Sequence, residues 1–362
     1  MTRAALTLAV DLPANASVLL VGGTASDVLS GLALANARTL RLVLARDEHP
    51  HTLAALERVG ITHQLAAGTA RERRIGTPQT PTAAEVVLFS SGTSGTPKAA
   101  LHGLNRLADS VRIPNGVDAD DGWMLTFNPS TYAGLQTLLT AGLAGCRLID
   151  VFGIGIADVA AFSARSGATH ASATPTFWRA FLAASSFEKP PLRQITLGGE
   201  AVDQAILDAL RAAFPTARLT HIYASTEAGY VFSVQDGRAG FPASWLSDPD
   251  PRVRIEGEML MVRAMSRMER YLGALSPFEG DWVRTGDLVQ VKGERVVFLG
   301  REDTMLNVGG NKVSPEAVED VLLSVGVSDA HVYGIPNPIT GKLVAADVSW
   351  HRARTRRELA SC

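Results

Sequence analysis

The sequence is poor in cysteine. Only Cys146 and Cys362 occur in 362 residues, which excludes a disulfide-stapled scaffold and a cysteine-rich zinc site and predicts a reducing, cytoplasmic setting. Long apolar runs are also missing. None approaches the roughly 18 residues of a membrane span. The amino-terminal "MTRAALTLAVDLPANASVLLVGG" carries Asp11 within its apolar stretch, against the grammar of a signal peptide. Neither sign of charge dominates: 34 Lys and Arg face 36 Asp and Glu, a net charge of −2, so no global basic field exists to hold a nucleic acid. His51, His63, His102, His170, His221 and His331 are scattered without metal-ligand spacing. Internal repeats and low-complexity tracts are absent.

What is present is enough apolar material for a large core: 46% hydrophobic residues against 19% charged. The length exceeds one compact domain. The first 230 residues alternate short apolar runs with Ala- and Leu-rich periodic ones. "SVLLVGG" (17–23), "LRLVLA" (40–45), "EVVLF", "WMLTF", "CRLIDV", "LRQITLG" and "RLTHIYAS" read as strands. "DVLSGLALANAR" (27–38) and "HTLAALERVG" (51–60) read as helices. Strands without polar alternation, separated by helices, predict an α/β fold with a mostly parallel sheet covered on both faces. Ligands in such folds sit at the carboxyl ends of strands, which directs attention to the loops after Phe89, Phe127, Leu197 and Tyr223.

Beyond residue 230 the pattern changes. "RVRIEGEMLMVRA" and "LVQVKGERVVFLG" alternate, with Gly at the turns, and predict a smaller antiparallel β region. From Arg301 come a Gly-rich turn "NVGGNKVSP", a helix "EAVEDVLLSV" and strands near "AHVYGI" and "LVAADVSW". The expected organisation is a large α/β domain over 1–302, with stacked, mostly parallel sheets and the antiparallel region. A small, incomplete α+β lid over 303–362 completes it.

One stretch invites a chemical reading: "VVLFSSGTSGTPKAA" (86–100). A buried strand runs into Ser90, Ser91, Gly92, Thr93, Ser94, Gly95, Thr96, Pro97 and Lys98. Gly92 and Gly95 allow a sharp turn that brings backbone N–H groups to a ligand. The hydroxyls donate to phosphate oxygens, and Lys98 supplies a point charge. A triphosphate-binding loop is the natural reading; a surface Ser/Gly loop is the competing one. The spacing is not that of a Walker A loop.

The strand and its loop "SSGTSGTPK" resemble the phosphate loop of the adenylate-forming superfamily of acyl- and aryl-CoA synthetases, nonribosomal peptide adenylation domains and luciferases. Four further stretches are similar to its motifs, in its order: "LGGEAV" (197–202), "IYASTEAG" (222–229), "WVRTGDLV" (282–289) and "GREDTMLNVGGNKVSPEAVE" (300–319). The resemblance implies ATP and Mg²⁺ as ligands and a carboxylic acid as substrate. CoA or a phosphopantetheinyl carrier protein is the implied acceptor.

It also implies roles. Lys98, Thr226 and Glu227 would be catalytic, with Glu227 the Mg²⁺ ligand. Ser90 to Thr96, Lys98, Gly198, Gly199, Glu200, Tyr223, Ala224, Ser225, Thr226, Asp287 and Arg301 would bind the nucleotide. Tyr223 would stack on adenine, and Asp287 and Arg301 would hold the ribose. Asn128, Tyr132, Thr174, Gly198 and Ala224 would contact the acid. Asp303 would be the hinge for the small domain. A helix cap is the competing reading for Glu200, and core packing for Phe177 and Trp178.

The sequence departs from the family pattern in three places. No carboxyl-terminal Gly-Lys motif precedes Cys362, and Lys342 in "PITGKLV" reads as a hairpin residue. The expectation is that the chain is truncated, that another protein supplies the lysine, or that adenylation is weak. The segment before the phosphate loop is short. Ala224 replaces the usual glycine of the Tyr-Gly-x-Thr-Glu motif, and its methyl would favour a small or flat acid. In "LTFNPSTYAGLQTLL" (125–139), Asn128 stands where amino-acid-activating relatives carry an aspartate. A neutral amide argues against an α-amino acid and leaves a small aromatic or simple acyl acid. The rival readings are a non-catalytic nucleotide- or carrier-binding relative and an acid–amine ligase.

Overall fold

The computed structural model describes residues 12–66, 69–90, 97–184, 189–308, 311–324, 327–338 and 341–350. They fall into two compact units. The first is drawn from Met1–Val202, Ile206–Arg238 and Val262–Val283, the second from Asp203–Ala205, Ala239–Met261 and Arg284–Cys362. The boundary expected after residue 302 lies inside the second unit. Residues Asp287–Lys292 pair with Arg295–Arg301, and this hairpin belongs to the same unit as the later strands.

The first unit contains two large sheets. One has seven strands in the order Arg270–Leu272, Lys98–Gly103, Glu85–Ser90, Arg41–Ala45, Ser17–Val21, Ile61–Ala66 and Thr69–Ile75. Glu85–Ser90, Arg41–Ala45, Ser17–Val21 and Ile61–Ala66 are mutually parallel, and each remaining strand pairs antiparallel with its neighbour. The run "SVLLV" shows why the strands lack polar alternation. Val18 and Leu20 join Leu42, Leu44, Val86 and Leu88 in a core on one face. Leu19 joins Val43, Val87 and Leu101 in a core on the other. Helix Ala25–Arg38 packs Val28 and Leu32 into the first core, and helix Pro50–Val59 packs Leu56 and Val59 into the second. Each such Leu or Val contributes about 1.5–3 kcal/mol by leaving water. A capping box of Thr24 and Asp27 starts the first of these helices.

At the base of this sheet the registered pair Arg41 and Glu85 forms a buried ion pair, Nε to Oε2 2.7 Å. The second sheet has six strands in the order Gly229–Val234, Arg218–Ser225, Gln194–Leu197, His170–Ala173, Gly122–Leu125 and Arg147–Asp150. Five run parallel; Gly229–Val234 is antiparallel.

The second unit is built from antiparallel hairpins, as the alternation beyond residue 230 predicts. Leu306–Val308 pairs with Asn311–Val313, helix Pro315–Ser324 comes next, and Val327–Asn337 pairs with Gly341–Trp350. Lys342 lies opposite Pro336 in that last hairpin, as its sequence context predicts. Among the described residues no helix is long and apolar enough to cross a membrane.

Candidate active site

The strands on either side of the expected phosphate loop pair with each other. Glu85–Ser90 and Lys98–Gly103 pair antiparallel, with Ser90 opposite Lys98. Ser91, Gly92, Thr93, Ser94, Gly95 and Thr96 lie outside the described residues. Strand Arg270–Leu272 adds to the far side of Lys98–Gly103, with Tyr271 opposite Ala100. Ala100 and Lys98 are two residues apart, so Tyr271, Lys98 and Ser90 share one face. Lys98 Nζ sits 5.5 Å from the Tyr271 ring centroid, within cation–π range. The buried Tyr271 hydroxyl donates to Glu227 Oε1. Burial, and after it the charge of Glu227, holds this phenol well above its ordinary pKa, so it stays a donor.

Glu227 lies in the turn after strand Arg218–Ser225. Met268 N donates to its carbonyl oxygen (3.0 Å), and Ala228 N donates to Ser225 Oγ (3.0 Å), which fixes the turn. Gly229 ends it at φ 70, where a Cβ would meet Ser266 O at 2.3 Å, so only glycine fits. Glu227 Oε2 has no protein partner among the described residues. No group of three or more His, Cys, Asp or Glu there could hold a metal alone. A single hard oxygen suits a Mg²⁺ that takes its remaining ligands from phosphate and water.

The other expected nucleotide residues divide between the units. In the first, one face of Tyr223 stacks on Phe232 at 5.3 Å, and a register shift separates Tyr223 from Ala224. Gly199 has φ 84. Glu200 Oε2 accepts from Thr176 N (3.0 Å) and Thr176 Oγ1 (2.7 Å), which puts its carboxylate at the start of helix Pro175–Ala184. In the second unit, Asp287 and Arg301 are registered partners on adjacent strands. Arg301 Nη1 is 3.1 Å from Asp287 Oδ1, and its Nε is 3.1 Å from Asp303 Oδ1. The expected ribose pair and the expected hinge residue therefore form one ion cluster.

A cavity of about 480 Å³ lies between one face of the second sheet and helix Tyr132–Ala144. Tyr132, Gly198 and Ala224 line it; Asn128 and Thr174 are not among its lining residues. The Asn128 Oδ1 accepts from Ser130 N (2.9 Å), and Thr174 Oγ1 accepts from Phe177 N (3.1 Å), so both make local turn and cap contacts. Ala224 lines the cavity without closing it: the lining continues to Gln194 and Arg218. Burial pushes the Tyr132 hydroxyl up to about 12 and the neighbouring His102 down to about 4, the latter with help from Arg106. Both are neutral at pH 7. Trp178 is fully buried core, and Phe177 packs against it.

A comparison with known proteins decides the family. The sequence pattern described as "AMP-binding enzyme" matches residues 14–257. The chain belongs to the AMP-binding enzyme family. It is 24% identical over 342 residues to a 2-succinylbenzoate–CoA ligase of Bacillus subtilis, covering 87% of this chain and 68% of that one. It spans 57% of the length of three other curated acyl-CoA ligases. The fold is similar to that of MenE from E. coli with bound OSB-AMS, at TM-score 0.75 and 20% identity, covering 97% of this chain and 81% of that one. It is likewise similar to o-succinylbenzoate CoA synthetase (MenE) from Bacillus subtilis in complex with ATP and magnesium ion, at TM-score 0.69 and 20% identity, covering 95% and 81%.

In this AMP-binding enzyme the structure brings together Ser90, Lys98 and Glu227 from separate motifs. The sequence reading missed the residue that touches this group from the far strand, Tyr271. Its stretch "RYL" is too short to show alternation. Gln194, Thr196, Arg218 and Thr220 on the cavity wall were also missed, although polar residues at every second position were the available signal.

Proposed function

We propose that the chain activates a carboxylic acid with ATP and passes the acyl group to a thiol. A carboxylate oxygen attacks the α-phosphorus, the bond to the β-phosphate oxygen breaks, and pyrophosphate leaves. A thiolate of CoA or of a carrier-protein phosphopantetheine then attacks the acyl carbonyl, and AMP leaves. The convergence of Ser90, Lys98, Tyr271 and Glu227 beside the loop carries this reading. Ser90 and the loop hydroxyls and amides cradle the β- and γ-phosphates, and Lys98 neutralises them. Thr226 holds the α-phosphate. Mg²⁺ bound at Glu227 supplies further charge neutralisation on the phosphates. Tyr223 faces adenine, with Gly198, Gly199, Glu200, Ala224 and Ser225 beside it, and Asp287 and Arg301 hold the ribose hydroxyls.

The acid enters the cavity lined by Tyr132, Gly198 and Ala224. Residues from Asp303 onward act as a mobile lid that exchanges the two half-reactions. Support comes from the family membership and from the order of the motifs. Acid-dependent exchange of pyrophosphate into ATP tests the reading. If the full chain binds ATP but no acid drives exchange, the chain is a binding relative and not an acid-activating enzyme.

A further inference from the structure

The two faces of the six-stranded sheet differ. Behind it Met124, Ala171, Ile195 and Leu219 are buried and apolar. Facing the cavity, two registered rows are polar. Trp123, His170, Gln194 and Arg218 stand side by side, and two residues further on stand Ser172, Thr196 and Thr220; all but His170 line the cavity. Trp123, His170, Gln194 and Thr220 are buried, Ser172 and Thr196 are half-buried and Arg218 is exposed; the buried polar groups need partners.

Most of the hydrogen-bonding capacity on this wall is donor capacity. Gln194 Nε2 donates to Thr196 Oγ1 and Thr220 Oγ1 (3.1 Å each), and Gln194 Oε1 accepts from Arg218 Nε (2.5 Å). No described residue accepts from the two threonine hydroxyls or from the Arg218 Nη groups, the latter being exposed to water. Trp123 Nε1–H is buried without a partner. Two arginines, Arg112 and Arg218, line the cavity and no carboxylate does. The buried, unpartnered Trp123 indole and the water-exposed Arg218 guanidinium are both open to an anionic acceptor on a ligand. Gly198 lies four steps along the chain from Gln194, or roughly 13 Å of strand, so a group bound at the Arg218 end sits far from the carboxylate being activated.

We infer that the cavity selects a dicarboxylic acid, whose second carboxylate docks at Arg218 and Trp123 while the first is adenylated. A fatty acyl chain would leave the threonine hydroxyls and the indole unpaired, at a cost no methylene contact offsets. The inference rests on the acid occupying this cavity, as proposed above.

Calorimetric titration of the full chain in saturating AMP tests it with two matched pairs. These are octanedioate against octanoate, and 4-(4-carboxyphenyl)butanoate against 4-phenylbutanoate. In at least one pair the diacid binds tenfold or more tighter. Arg218→Gln lowers that diacid's affinity about 10- to 100-fold, the range for a charge-assisted hydrogen bond, and abolishes the preference. Arg218→Lys restores part of the preference, and Trp123→Phe weakens the diacid several-fold. Diacid binding no tighter than that of the monoacid in both pairs, or no binding by any of the four, overturns the inference. So does an Arg218→Gln variant that keeps the preference. Pyrophosphate exchange run in parallel separates the two readings: diacid-selective binding without exchange supports this inference and refutes the proposed activity.

Discussion

Replacing Tyr271 by phenylalanine removes one oxygen and keeps the ring, so Lys98 retains its aromatic neighbour and the strand pairing to Lys98–Gly103 is untouched. The loss is the hydrogen bond to Glu227 Oε1. A bond to a charged acceptor is worth about 1.5–3 kcal/mol, and about 1.4 kcal/mol is tenfold in rate. If that bond aims Glu227 at the phosphates, Tyr271→Phe slows acid-dependent pyrophosphate exchange roughly 10- to 100-fold. It also raises the Mg²⁺ concentration needed for half-maximal exchange. Glu227 is only partly buried, so water can take the vacated position, and the thermal midpoint moves by no more than a few degrees. Exchange kinetics across a Mg²⁺ titration, with a melting curve on the same preparation, measure both. Unchanged exchange and Mg²⁺ dependence, or a rate loss matched by unfolding, refutes the positioning role.

Lys98→Ala removes the cation beside the phosphate loop and lowers the exchange rate about 100-fold or more, with little change in a denaturation curve. Glu85→Ala strands the buried Arg41 guanidinium; loss of one partner of such a pair costs about 3–5 kcal/mol, read by urea denaturation. His102 is depressed from 6.5 to about 4 in the folded chain. Between those values the unfolded chain takes up a proton that the folded chain refuses, so stability falls as pH falls, by about 3 kcal/mol over the window. His102→Leu flattens the stability-against-pH curve over that window, and identical curves for the two proteins would exclude this residue as a cause.

The parallel sheets were legible in the sequence because both faces of strands such as Ser17–Val21 and Arg41–Ala45 are buried, so the apolar runs are unbroken. Strand Thr69–Ile75 was not: it is a solvated edge strand rich in charge, as edges often are. "HASA" at 170–173 was missed because its alternation serves a cavity and not solvent. Ser90, Lys98 and Glu227, which the structure brings together with Tyr271, each sit in a short local motif and so stood out in the sequence. The contact made by Tyr271 did not, because it depends on a strand pairing between distant parts of the chain. Sequence raised Asn128 and Thr174 as acid contacts; their side chains are engaged in a turn and a helix cap.

If the acid enters the cavity as proposed, the polar rows along its wall also work as a ruler. Inward-facing positions on a strand recur every second residue, roughly 6.6 Å apart. On that proposal, substrate length would be graduated in those steps rather than continuously. A bulky side chain at Thr196 would stop an acid one mark short, and the same residue at Gln194 one mark later. Specificity would then change by single substitutions within the sheet, leaving Ser90, Lys98, Tyr271 and Glu227 as they are.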